Sequence, residues 1–587
     1  MRLFLSTGGC ILALALAVPV RADSSADPLR LVPDVTDLFI KIEQPRRLVE
    51  GALNNALLKP LQNLEAVREF YESTSYRRFQ QLLAYFEKHL GAGRFELLER
   101  LAGGGVVLSV KLGPQPAPAL LVLQGKDEQL QRRFVTIALQ VLNQELARQE
   151  SPERLEKSSY RGVDTYHLGK GFYMATAGSA LLVSNMDRTL RLAIDLHLDG
   201  GKKNLSQDQR VLEARKLLDP DPPAWAWLNM GTVRKAPAAK DIFTLPRNDA
   251  VLTVLFGNIL DLGARASFVC AGIYAQDEGF QVSVRIPAGR EGMTAALAVH
   301  VPPPGQSGSR PLLEPRGVLY SSSFFLDLSQ FWEQRAKLFN AKQVKTFEEF
   351  NKNSRNFLAG SEFSKLLAQA GAYQRFVAVP QLKNSYKTVP AQVLPAFGLV
   401  VEMREPEVFG KKLSAILRSI AFLATTQVKL KPVEEQHAGK TIVGYRFAED
   451  GSYPADTDNY RFNFSPSFAI VGDQFVASST IELCRDLVDL VEKENKEHPP
   501  SSPATARSQL YATGGADLLD KFKDRLYAQT MLDQAMSPAK AEEQVKAFVA
   551  WVRQLGVVQL EQNYHAQDFR FDIRLKPSVI KQEQSKP

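Results

Sequence analysis

The sequence predicts an α+β protein of two similar tandem units, each a mainly antiparallel sheet with helices packed on one face. Three observations carry this. Segments recur in the same order, strands alternate strictly, and both halves share a strand–turn–helix grammar. "LFIKIEQPRRL" from Leu38 answers to "FFLDLSQFWEQ" from Phe324, and "LVLQGKDEQLQRRFVTIAL" from Leu121 to "LVVEMREPEVFGKKLSAIL" from Leu399. "SALLVSNMDRTLRLAIDL" from Ser179 answers to "QFVASSTIELCRDLVDL" from Gln474, and "GFQVSVRIP" from Gly279 to "DFRFDIRLK" from Asp568. The spacing is about 280 to 295 residues each time, the mark of a tandem duplication.

The elements follow from local chemistry. In the segment from Gln474 a short β-rich run is stopped by Ser478 and Ser479, whose hydroxyls suit a helix N-cap, with Glu482 three residues on as in a capping box. Ile481, Cys484, Leu487, Val488 and Val491 then form one apolar helical stripe. In the first copy Ser184 and Asn185 take the cap, and Met186, Leu190, Ala193 and Ile194 take the stripe. "FQVSVRI" and "FRFDIRL" alternate apolar with polar, which predicts a strand with its apolar face buried and its polar face wet. Residues 77–104 read as helical, with "SEFSKLLAQAG" as a shorter counterpart. Pro and Gly crowd "VPPPGQSGSRP", which reads as a linker. The expected organisation is a signal peptide at 1–22, a first unit at 23–300, a linker at 301–316, a second unit at 317–577 and a polar tail at 578–587.

The signal peptide rests on Arg2, the uncharged apolar stretch from Leu3 to Val20, and small residues Val20 and Ala22 before a cut at Asp23. Cys10 opens that stretch rather than ending it, which argues against a lipidated cysteine. No later segment is apolar for long enough to span a bilayer, so the expected location is extracytoplasmic, periplasmic or secreted, without a transmembrane segment after signal cleavage. The net charge of +8 is dispersed among acidic residues, unlike the basic stripe of a nucleic-acid binder. After cleavage Cys270 and Cys484 remain; both read as small buried hydrophobes, and a bridge between them stays open.

Catalytic signatures are missing. "AGGGVVLSVKL" has glycines after a helix and before a strand, the reverse of a phosphate cradle. "HAGKT" lacks the first P-loop glycine and reads as a turn entering a strand. The seven histidines form no zinc motif, and "SPAK" at 537–540 lacks its companion motifs and reads as the first turn of a helix. Asp456 and Asp458 in "PADTDNY" stand at alternate positions, as in a calcium loop, but without the glycine and distal glutamate of an EF-hand. No cofactor, metal or catalytic residue is assigned. The one ligand-platform candidate is the pair Trp225 and Trp227 in "PAWAWLNM", which share a strand face and would stack on a sugar ring if exposed; core aromatics are the commoner use, and the second copy offers only Tyr511 nearby.

The segments "LERLAGGGVVLSVKLGPQPAPALLVLQGKDE", "FYMATAGSALLVSNMDRTLRLA" and "FAIVGDQFVASSTIELCRDL" resemble a family of extracytoplasmic bacterial proteins defined by a domain of unknown function. The resemblance spans most of both copies and implies an envelope location and an α+β fold; it brings no catalytic residues. In the first copy the turn reads Ala177-Gly178 against Gly472-Asp473. The functional expectation is an exported non-catalytic cell-envelope protein, acting as a binding, scaffold or chaperone-like module on an unknown envelope protein or ligand. The alternative is an exported hydrolase whose site is assembled from distant residues, marked by a pocket with a His–carboxylate pair. A carrier of apolar ligands is the third reading.

Overall fold

A computed structural model describes residues 27–578 except 202, 277–278, 359, 382–384, 426–428 and 451–455. The signal-peptide segment, Cys10 and nearly all of the polar tail lie outside the described residues. The chain divides into two compact units, residues 1–240 with 265–287, and residues 241–264 with 288–587. Among the described residues no helix is long and apolar enough to cross a membrane.

Among the described residues the first unit holds ten strands: β1 (Leu38–Ile42), β2 (Gly105–Val110), β3 (Ala119–Gln124), β4 (Leu155–Tyr160), β5 (Val163–Leu168), β6 (Phe172–Ala177), β7 (Ala180–Ser184), β8 (Ala224–Asn229), β9 (Phe268–Gln276) and β10 (Gly279–Ile286). Every pairing is antiparallel, in the order β4-β5-β6-β7-β3-β2-β1-β8-β9-β10. The second unit holds β11 (Tyr320–Phe325), β12 (Ala370–Val379), β13 (Ala396–Met403), β14 (Leu430–His437), β15 (Lys440–Phe447), β16 (Ser467–Val471), β17 (Gln474–Ser478), β18 (Ala506–Tyr511), β19 (Val557–Tyr564) and β20 (Phe569–Lys576). Its order is β14-β15-β16-β17-β13-β12-β11-β18-β19-β20, again all antiparallel. The two orders are the same, strand for strand. Register pairs Leu38 with Tyr320 rather than with Phe324, so the first landmark shifts by four residues.

Helices cover both faces of each sheet, not one. Helix Asp187–Asp199 sets Leu190, Ala193 and Ile194 against Val122, Leu182 and Ala175. Helix Glu128–Arg148 sets Phe134 and Val135 against Leu123, Leu181 and Met174, on the opposite face. In the second unit helix Ile481–Glu497 packs Cys484, Leu487 and Val488 with Val400 and Val476, while helix Pro406–Thr425 packs Phe409 and Ile416 with Phe468 and Phe475. The reason is in the strands. "ALLVLQ", "ALLVS" and "QFVAS" are nearly continuous apolar runs, and such a run needs cover on both sides.

The expected caps move by one or two positions. Met186, not Ser184 or Asn185, caps helix Asp187–Asp199, without a side-chain bond. Thr480, not Ser478 or Ser479, caps helix Ile481–Glu497, its Oγ1 accepting from Leu483 N at 3.3 Å. The displaced residues hold the neighbouring strand instead: Asn185 Oδ1 accepts from Ala119 N at 2.8 Å, and Ser479 Oγ from Phe397 N at 2.9 Å.

The division of the chain also departs from a boundary at 300. Residues 241–264 and 288–300 belong with the second unit, because Leu245, Ala250, Val254, Leu297 and Val299 pack with Phe331, Leu338 and Phe339. The segment 301–316 is not a free linker. Leu313 is buried in the second core, Ser309 bridges to Ser502, and a Cβ on Gly308 would fall 2.2 Å from Ala504 O. Only glycine fits an approach that close.

Asp37, buried just before β1, ties the start of that strand to residues 111–112 and 229–232 of the first unit. Its Oδ1 accepts from Thr232 Oγ1 at 2.6 Å and Asn229 Nδ2 at 3.0 Å; its Oδ2 accepts from Leu112 N at 3.1 Å and pairs with Lys111 at 2.9 Å. Burial pushes this carboxyl up, and the bonds from Thr232, Lys111 and Leu112 outweigh it, so the pKa lies below the ordinary value. A carboxylate lowered on folding stabilises the fold above its unfolded pKa of about 3.9 and loses that contribution as pH falls through the folded value. Asp37→Asn should therefore lower the melting temperature at neutral pH and lose part of its deficit below about pH 4; a deficit that grows on acidification would refute this.

Candidate functional site

The residues singled out in the sequence do not converge. Trp225 and Trp227 are 3% and 0% exposed, so neither indole is available to a sugar. Trp225 Nε1 donates to Glu43 Oε1 at 2.8 Å, and Phe39 lies edge-on to Trp225 and stacked on Trp227, with centroids 4.8 and 5.9 Å away. Their register counterparts in the second unit are Arg507 and Gln509, not Tyr511. Cys270 and Cys484 are buried and unbridged, and burial pushes both thiols up to about 12. Asp456 is taken up by its own turn, accepting from Tyr460 N at 2.8 Å and Arg461 Nη1 at 2.7 Å. Residues 454–455 of that loop lie outside the described residues. Among the described residues no cluster of metal-ligating side chains is present. Pro538 opens helix Pro538–Gln554, and "HAGKT" forms the turn between β14 and β15.

Two features were not legible in advance. The first is an inversion of the alternating strands. In β10 the polar Gln281, Ser283 and Arg285 are buried, 5%, 0% and 3% exposed, while Phe280, Val282 and Val284 are only half-buried; of the apolar side chains only Ile286, at the strand end, is inside. The pattern crosses the sheet. One register row runs Leu121, Leu108, Ile40, Ala226, Ala271 and Val284, all apolar, none fully buried, with Leu108 44% exposed. In the second unit the equivalent face carries Phe397, Ala378, Tyr320, Leu510 and Val558, with Phe397 at 47% and Leu510 at 46%. The opposite face is covered by helix Gln209–Leu217 in the first unit. No helix stands between Glu497 and β18 in the second, and there polar Ser321, Gln509, Gln559 and Arg574 take the register places of Phe39, Trp227, Cys270 and Arg285.

The second feature is a cleft of about 290 Å³ in the second unit, lined by Arg310, Tyr373, Glu402, Glu494, Asn495 and His498 among others. Arg310 Nη2 donates to Glu402 Oε1 at 2.7 Å and to Asp473 Oδ2 at 2.5 Å, and its Nη1 is 3.7 Å from Glu494 Oε1. Glu494 also pairs with Arg375, whose side chain is 1% exposed and which donates further to Gln474 and to Pro311 O. Burial works against the charge on both arginines. At Arg310 the bonds to Glu402 and Asp473 outweigh it and raise the pKa; at Arg375 burial prevails over Glu494 and lowers it. Elsewhere in the second unit Ser309, Ser321, Ser323 and Thr505 are buried, and among the described residues their hydroxyls have no partners. Among the described residues two His–carboxylate pairs exist, His437–Asp489 at 2.8 Å and His167–Glu156 at 3.2 Å; neither lines this cleft. His498 does, and among the described residues no hydrogen bond joins its ring to Glu402 or Glu494.

No family model matches the chain, and no curated protein is similar to it. Among the solved structures that match is crystal form I of TP0453, at 11% identity and a TM-score of 0.23, over 46% of this chain and 82% of its own length. A likeness that slight carries no argument about fold or function here.

Proposed function

We propose that this is an exported, non-catalytic binding protein of the cell envelope, built by tandem duplication and engaging an apolar partner through the half-covered face of each sheet. The observation that carries the reading is the inversion of the alternating strands, which leaves a register row of apolar side chains partly open in each unit. Scattered exposed apolar residues are ordinary; a contiguous row is the usual mark of an interaction surface. Duplication is supported by the shared strand order and register, and export by residues 1–22 of the sequence. The resemblance to extracytoplasmic bacterial proteins with a domain of unknown function supports the same location.

The test is binding of the apolar fluorophore 1-N-phenylnaphthylamine to the full chain, with competition by a fatty acid and by an unfolded polypeptide. Phe397→Lys with Leu399→Lys should reduce the bound fluorescence by about half, by closing one of two faces. Since both side chains are already more than 40% exposed, stability should move by no more than about 0.5 kcal/mol per site. Unchanged fluorescence in the double variant, together with Leu108→Lys, would remove the basis of the reading.

A further inference from the structure

In each unit the segment that precedes the first strand carries an arginine to the same place in the fold. In the second unit Arg310 meets Glu402, near the end of β13, and Asp473, in the turn between β16 and β17. In the first unit Arg30 meets Gln124, at the end of β3, with Oε1 accepting from Nη2 at 3.3 Å. Gln124 is the register equivalent of Glu402, since each pairs with the first residue of the next strand, Ala180 or Gln474. Ser179 stands where Asp473 does, each following a left-handed glycine, Gly178 at φ +61° and Gly472 at φ +60°. The first unit thus has an amide and a hydroxyl where the second has two carboxylates.

The exchange leaves polar groups unanswered. Among the described residues Arg30 makes no ion pair, and its Nε is buried without a partner. Asp27, the nearest acid along the chain, pairs with Lys41 at 3.1 Å and acts on Arg30 only through its charge, without an ion pair. His197 lies beside the Gly178 turn, its ring carbon 3.4 Å from where a Cβ on Gly178 would stand, and its Nδ1 is buried without a partner. Gln131 is 0% exposed and neither of its amide atoms is bonded; its Oε1 lies 3.0 Å from a Cβ position on Gly125 that is 2.9 Å from Ser179 O. Burial holds Arg30 and His197 below their ordinary pKa values. Glu128, the acid that acts on His197, is exposed and paired with Arg132.

We propose that the first unit binds a small carboxylate against Arg30, in the place where Glu402 and Asp473 meet Arg310 in the second. The chain itself shows which chemistry this position accepts. An arginine fork matches a carboxylate with two parallel bonds, and the His197 ring adds a donor beside it. The carboxylate can belong to a free acid or to the C-terminus of a peptide.

Calorimetric titration of the full chain with acetate, with trialanine and with trialanine amide separates these sources. Saturable binding of either acid form, with none of the amide, supports the proposal. Tighter binding of trialanine than of acetate assigns a chain terminus, and the reverse a free acid. Arg30→Gln should weaken binding by at least about tenfold. Gln124→Glu with Ser179→Asp, which copies the second unit, should abolish binding and raise the melting temperature. If that double variant does not fold, Arg30→Gln decides. No saturable binding of either acid, or equal binding by Arg30→Gln, overturns the proposal.

Discussion

Trp227→Ala should lower the stability of the first unit by about 3–5 kcal/mol, the cost of emptying a large aromatic site in a core that cannot collapse around it. The indole is 0% exposed, stacks on Phe39 at 5.9 Å, and has the Arg210 guanidinium 5.4 Å over its ring. Its Nε1 has no hydrogen-bond partner, so Trp227→Phe should recover most of the loss. Gln509→Ala, at the same register position of the second unit, should cost less than about 1 kcal/mol, because that residue is only half-buried. Urea denaturation followed by tryptophan fluorescence and by circular dichroism measures both. A loss below about 1 kcal/mol for Trp227→Ala would mean that the aromatic stack is not the keystone of this core.

Glu494→Ala should destabilise the second unit by about 3–5 kcal/mol, for a different reason. It leaves the Arg375 guanidinium, 1% exposed, facing Gln474 and a backbone carbonyl but no carboxylate. A charge buried without its counter-ion is the expensive state; removing both charges is not. The double variant Glu494→Ala with Arg375→Met should therefore recover at least half of the loss, and the double-mutant cycle isolates the coupling. Equal losses in single and double variants would show that Glu494 acts through packing alone.

Much of the fold was legible because it is written in period and punctuation. "QFVASSTIELCRDLVDL" opens on a short β-rich run, breaks at small polar residues, then recurs at helical spacing, and the structure has strand β17, a turn and helix Ile481–Glu497 there. The cap itself was misread by one or two positions because Ser478, Ser479 and Thr480 offer the same chemistry, and only the neighbouring strand decides which hydroxyl is free. The burial of β10 was misread because alternation gives two faces but not which one is covered. Ser283 and Arg285 are inside and Val282 and Val284 half outside, since the cover depends on distant elements. The arginine sites were invisible. Arg30 and Gln124 are 94 residues apart, Arg310 and Asp473 are 163 apart, and neither pair sits in a motif. The pairing of Phe39 with Trp227 is equally remote, which is why an aromatic pair on a strand could be read as a platform.

The interleaved division of the chain bears on how it is made. Helix Ala250–Arg265 leaves the ribosome before β9 and β10, yet Ala250 and Val254 pack with Phe331, Leu338 and Phe339, which are synthesised some 80 residues later. During that interval its apolar side waits without cover, so no single cut yields two self-sufficient halves. Expression of residues 23–300 alone should give aggregation-prone material, whatever the stability of the completed protein.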